Sequence, residues 1–84
     1  FSARNHPNPF NPVTKITYTA PKAGHPSLKV FDIRGRLVRT LVDGSVAAGA
    51  HTIPFDGADL SSGVYLYRLT TPDGTLQRKM MLLR

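Results

Sequence analysis

The chain has 84 residues, with 11 Lys plus Arg against 5 Asp plus Glu, a net charge of +6, and neither Cys nor Trp. This length allows one domain that buries roughly 60–65 % of the unfolded surface, with one thin core and little room for a deep catalytic cleft. The absence of Cys excludes disulfide staples, thiolate zinc sites and thiol catalysis, and an apolar content of 40 % excludes full disorder.

The amino end, Phe1 to Pro12, is polar and Pro-rich and lacks the apolar stretch of a secretory signal. A chain that opens on Phe1 reads as a piece cut from a larger precursor. Within this leader, Asn5-His6-Pro7-Asn8-Pro9-Phe10-Asn11-Pro12 is the most unusual segment. Its prolines fix φ and push each preceding residue toward extended or polyproline conformation. Asn8 is then held between rigid units with an amide free to bond backbone, and Phe10 offers an apolar plug for the domain's end. A leader docked on the domain is the first reading, and a polyproline-type recognition peptide is the second.

Beyond the leader, helical periodicity is absent and strand signals recur every 8–12 residues or so. The pattern predicts strands at Lys15–Thr19, Ser27–Ile33, Arg36–Val42, His51–Phe55, Val64–Thr70 and Thr75–Leu83. A seventh falls either in the leader or near Ser45–Ala47. Alternation predicts a two-layer core of Ile16, Tyr18, Leu28, Val30, Val38, Leu41, Ile53, Phe55, Tyr65, Leu69, Met80 and Leu82. Arg34-Gly35 and Asp73-Gly74 read as tight hairpins, and the stretch from Asp56 to Gly63 as one longer loop that changes sheet. The fold class is therefore all-β: an antiparallel, Greek-key β-sandwich of about seven strands, residues 13–84, carrying a leader, residues 1–12. The longest apolar run, Met80–Leu83, is far too short to span a bilayer.

Catalytic chemistry has little support. His6, His25 and His51 stand in the leader, a turn and a strand start, without metal-ligand or triad spacing. The chain has no Glu, and Asp43, Asp56 and Asp73 precede Gly in turns. Asp56 and Asp59 are the metal candidates, as oxygen ligands for Ca²⁺, but their loop lacks the alternating acidic pattern of a dedicated site. No phosphate cradle, cofactor motif or nucleic-acid reading motif is present. The cations, among them Arg34, Arg36, Arg39, Arg78, Lys79 and Arg84, suit a solvated surface or an anionic partner.

Five short motifs then stand in order: the leader from Asn5 to Pro12; Leu28-Lys29-Val30-Phe31-Asp32 running into Gly35-Arg36-Leu37-Val38; Gly49-Ala50-His51; Ser62-Gly63-Val64-Tyr65; and Arg78-Lys79-Met80 with the end Leu82-Leu83-Arg84. Residues 5 to 84 thereby resemble the carboxy-terminal sorting domain of the type IX secretion system, in the subgroup similar to the immunoglobulin-like domain of the flagellar hook-capping protein. The resemblance implies an immunoglobulin-like sandwich at the carboxyl end of exported enzymes or adhesins of Bacteroidetes-type bacteria. Its implied partners are an upstream cargo domain, the outer-membrane translocon with its surface-attachment machinery, and anionic lipopolysaccharide. Such a domain is commonly clipped off once its cargo reaches the cell surface.

By position, Pro7, Asn8, Pro9 and Phe10 match the first motif, Gly35 the second, Ser62, Gly63 and Tyr65 the fourth, and Lys79 with the tail the last. Arg78 and Arg84 stand where lysines often crowd, and Phe55 where Trp is common. Gly63 is expected to relieve crowding at a strand start, and Tyr65 to anchor the core. The reading is a non-catalytic, cofactor-free export address, with Lys79–Arg84 as the recognised strand and Asn5–Phe10 as the ordered join to the cargo linker. A sugar-binding accessory module and a hook-cap-like assembly domain are the alternatives.

Overall fold

The computed structural model describes residues 2–72 and 74–83. Seven strands follow one another: β1 (Ser2–His6), β2 (Val13–Ala20), β3 (Ser27–Asp32), β4 (Leu37–Asp43), β5 (Gly49–Asp56), β6 (Gly63–Thr71) and β7 (Gly74–Leu82). They form two antiparallel sheets, one ordered β1-β2-β5 and the other β4-β3-β6-β7. This is the antiparallel sandwich of about seven strands that the alternation predicts, as the resemblance to an immunoglobulin-like domain also implies. Among the described residues no helix is long and apolar enough to cross a membrane.

The six predicted strands are present, with shifted ends. Ile33 and Arg36 belong to the turn between β3 and β4 rather than to either strand. The seventh strand is β1, inside the leader, in register with β2 from Ser2↔Thr19 to His6↔Lys15. The segment near Ser45–Ala47 instead supplies a single bridge, Gly24↔Val46. The expected single sheet change, through the Asp56–Gly63 loop, is corrected to three. The chain also crosses between β2 and β3 and between β4 and β5. Gly and Pro mark a hairpin and a short crossing alike, so the punctuation does not separate them.

The core follows the period of two. On β2, Thr14, Ile16, Tyr18 and Ala20 point inward, and Val13, Lys15, Thr17 and Thr19 outward. Opposite them lie Leu28 and Val30 of β3, Tyr65, Tyr67 and Leu69 of β6, and Met80 and Leu82 of β7, all buried. Burying each such large side chain contributes about 1.5–3 kcal/mol. Predicted core residues Val38, Leu41 and Ile53 are only partly buried, because β4 and β5 are edge strands. Ala3, Phe10, Ala20 and Tyr67 complete the core.

Thr14 is the one buried polar side chain among the described residues, and its hydroxyl donates to the Pro7 carbonyl at 2.8 Å. Asn5 completes that cluster. Its Nδ2 donates to Thr14 Oγ1 and to the Pro7 carbonyl, both at 3.3 Å, and its Oδ1 accepts from the Tyr67 hydroxyl at 3.3 Å. A polar tie thus joins the two sheets at the start of the leader's turn.

Candidate recognition pole

Strand register sorts the sequence motifs by their position along the sandwich. Val13 pairs with Asp56, Gly63 with Leu82, Asp32 with Tyr65, and Phe31 with Leu37. One end of the sandwich therefore gathers the leader's turn (residues 7–12), the β3–β4 turn, the β5–β6 loop and the end of β7. The opposite end holds Ser2, the β2–β3 and β4–β5 connections and the β6–β7 turn. Pro7, Asn8, Pro9, Phe10, Gly35, Ser62, Gly63, Tyr65 and Lys79 all fall at or next to the first end, although they span most of the chain.

The leader closes this pole by acting as a short extra rung on β7. The Phe10 N–H donates to the Met81 carbonyl and the Leu83 N–H to the Phe10 carbonyl, both at 2.9 Å, forming a parallel bridge between Phe10 and Leu82. Asn8 Oδ1 accepts from the Met81 N–H at 3.0 Å. A side-chain amide thereby satisfies an edge-strand donor beside two prolines that have no N–H to offer. Phe10 is 1 % exposed and meets the Phe55 ring edge-on, with centroids 6.0 Å apart. The Gly57 N–H donates to the Pro12 carbonyl at 2.8 Å, tying the loop after β5 to the end of the leader. Within the leader, β1 (Ser2–His6) runs along β2 and brings the chain to the turn at residues 7–12. Ser2, paired with Thr19, stands at the other pole.

At the β6 start, the buried Tyr65 donates its hydroxyl to the Ser61 carbonyl at 2.7 Å, clamping the loop that precedes its own strand. Gly63 has φ +153°, while a Cβ there would meet nothing within 4 Å. The expected crowding is corrected: backbone angle, not space, selects glycine here.

The β3–β4 turn is built around Asp32. Its Oδ1 accepts from the backbone N–H of Arg34 (2.9 Å) and Arg36 (3.0 Å), and its Oδ2 meets Arg36 Nε at 3.0 Å. Its own N–H donates to the Arg36 carbonyl, and its carbonyl accepts from Gly35. Gly35, at φ +85°, supplies the left-handed residue that a three-residue hairpin loop requires. The backbone hydrogen bond from Arg36 is the main cause that lowers the Asp32 pKa below the usual carboxylate value, with burial opposing it and the Arg36 side chain and Arg34 backbone adding to it. Asp32 shares the strand parity of Leu28 and Val30, yet its carboxylate is taken up by the turn's N–H groups and the Arg36 side chain.

The metal candidates meet a cation of the chain itself. Arg39 donates to the Asp56 carbonyl at 2.6 Å and to Asp59 Oδ1 at 3.2 Å, and its guanidinium lies 4.9 Å from the Phe55 ring centroid. Asp56 Oδ1 accepts from the Ala58 N–H at 2.9 Å. No three His, Asp or Glu side chains among the described residues come together as a metal cluster. His51 donates to the Ala47 carbonyl at 2.7 Å and stacks on Tyr18, while His25 lies 3.4 Å from the Ser45 hydroxyl, away from this pole. Burial raises the pKa of Tyr18. It also raises that of Tyr67, against the opposing charge of Arg78.

The basic end of the chain is divided. Arg78 pairs across from inward-facing Tyr67 and Lys79 across from outward-facing Leu66, so these neighbours project to opposite sides of β7. Arg84 lies outside the described residues, as does Asp73 of the predicted β6–β7 turn. Sequence reasoning named Asp32 and Arg39 but not the turn and loop contacts they make, and it missed the Asn5–Thr14–Tyr67 tie. Only Asp32 had a local signal, an Asp three residues before a turn glycine.

A family model described as the secretion system C-terminal sorting domain matches residues 5–83. Among curated proteins nothing matches. Among solved structures, the chain is similar to part of PorZ, described as an essential bacterial surface component of the type-IX secretion system of human oral-microbiomic Porphyromonas gingivalis. The TM-score is 0.68 and the identity 22 %, over 98 % of this chain and 11 % of that one, so what the two share is the fold. With its seven-strand sandwich and the family match running from Asn5 to Leu83, the chain belongs to the secretion system C-terminal sorting domain family, the type IX sorting tails of secreted and cell-surface proteins.

Proposed function

We propose that this chain is a non-catalytic address read by the type IX export machinery, and that the reading takes place at the pole closed by the leader and β7. The observation that carries the proposal is convergence. Pro7, Asn8, Pro9, Phe10, Gly35, Ser62, Gly63, Tyr65 and Lys79 come from four separate stretches of sequence and meet at one end of the sandwich. Buried members of the set, Phe10 and Tyr65, hold the pole's shape, and exposed members, Pro9 and Lys79, present it to a partner. Ser2 stands at the other end, so an upstream cargo enters there and leaves the pole free.

The partner is a component of the outer-membrane translocon, with surface attachment of the cargo following export. The module contributes binding and breaks no bond. Fusing residues 1–84 to a reporter in a type IX-competent bacterium tests this reading. The reporter is expected at the cell surface, and retention in the periplasm contradicts it. A fusion ending at Arg78 that exports as well as the full module removes Lys79–Arg84 from the recognised set.

A further inference from the structure

The outward face of the four-stranded sheet carries an unusual band. Strand register aligns Leu37, Phe31, Leu66 and Lys79 in one row across β4, β3, β6 and β7, with Val64 and Met81 paired in the next row toward the pole. Ile33, 73 % exposed, stands at the tip of the adjoining turn, with Leu37 at 54 % and Met81 at 41 %. Every exposed large hydrophobic side chain among the described residues belongs to this pole, Val13 and Leu83 being the others.

Cations rim the band. Arg68 lies 4.5 Å from the Phe31 ring centroid and is held by Gln77 Oε1, while Lys29, Arg34 and Lys79 have no carboxylate partner among the described residues. Two carboxylates of the pole are already engaged, Asp32 by Arg36 and Asp59 by Arg39.

We infer that this face docks on an anionic lipid surface. Three observations favour lipid over another protein or a second copy. The apolar side chains protrude from a hairpin turn and from the sheet's outward face, and a bilayer accepts protruding groups without a preformed complementary pocket. The rim is cationic, and Asp32 and Asp59 beside it are each paired with an arginine, which leaves Lys29, Arg34 and Lys79 to complement anionic headgroups. A second copy with the same +6 charge is repelled. Ile33 and Leu37 enter the headgroup boundary while Arg34 and Lys79 meet phosphates. The inference goes beyond the sorting proposal and uses the purified chain, so each can fail without the other.

Sedimentation with phosphatidylcholine vesicles, with and without phosphatidylglycerol, provides the test. The chain is expected to pellet with the anionic vesicles and at least tenfold less with the neutral ones. Ile33→Asp together with Leu37→Asp lowers anionic binding at least tenfold, whereas Lys15→Glu, on the other sheet's outer face, changes it less than twofold. A Leu37→Trp variant shifts its emission to the blue on adding anionic vesicles, and a Thr17→Trp variant does not. Absence of pelleting, equal losses for the Leu37 and Lys15 variants, or an unshifted Leu37→Trp emission each overturns the inference; the first assigns the band to a protein surface.

Discussion

Asp32, Tyr65 and Gly35 show how single side chains hold the pole. Asp32 is stabilised as a carboxylate by two backbone N–H groups and one guanidinium. Its folded-state pKa is lowered, so its contribution is fully present above the unfolded carboxylate pKa, near 4, and is lost as pH falls through that value toward the folded one. Denaturation midpoints measured from pH 7 to pH 2 should therefore show a constant gap between the wild type and Asp32→Asn above about pH 5, closing below about pH 4. Tyr65→Phe deletes the bond to the Ser61 carbonyl and should cost about 1 kcal/mol in urea unfolding. Gly35→Ala forces a Cβ into the left-handed region and should cost about 1–2 kcal/mol, without any clash to relieve. The alternation rule makes Ile16, Tyr18 and Tyr65 legible from sequence because strand interiors keep a strict period. It fails at Asp32 because a strand's last residue can be re-aimed by the turn that follows.

At the scale of elements, the leader and β7 form one unit. Asn8 and Met81 are 73 residues apart in sequence, yet the asparagine amide caps that strand's amide, and Phe10 fills the gap beneath it. Phe10→Ala removes a fully buried ring and should cost about 3–5 kcal/mol in urea unfolding. Asn8→Ala should leave global stability within about 1 kcal/mol. It should nevertheless speed hydrogen exchange at the Met81 and Leu83 amides, readable by NMR, relative to the β3 and β6 amides. Exchange unchanged at those two amides would show that the leader does not hold the strand. The strands themselves were legible as β-branched and aromatic runs between turn residues. The three sheet crossings were not, since five or six residues suffice to change sheet and carry the same Gly, Pro and Asp as a hairpin. Nor was the leader's rung on β7, a contact across nearly the whole chain that leaves no local pattern.

Over the whole molecule, a body of 36 × 22 × 17 Å separates two ends of different composition. Ser2, Gly49-Ala50-His51 and the β6–β7 turn occupy one; the leader's turn, Gly35, Ser62-Gly63-Val64-Tyr65 and the exposed apolar side chains occupy the other. The ordered motifs carried the family from sequence alone, but that residues from several of them meet at one end emerges only when the strands are placed in register. That polarity yields the account's most direct test. A reporter fused to the module is compared, by surface protease accessibility in a type IX-competent bacterium, with two variants whose near-ultraviolet circular dichroism matches the wild type. Pro9→Asp with Lys79→Glu alters the pole, and Lys22→Glu alters the opposite end, in the β2–β3 connection. The account predicts at least a tenfold loss of surface reporter for the pole variant and none for Lys22→Glu; normal export of the folded pole variant would contradict it.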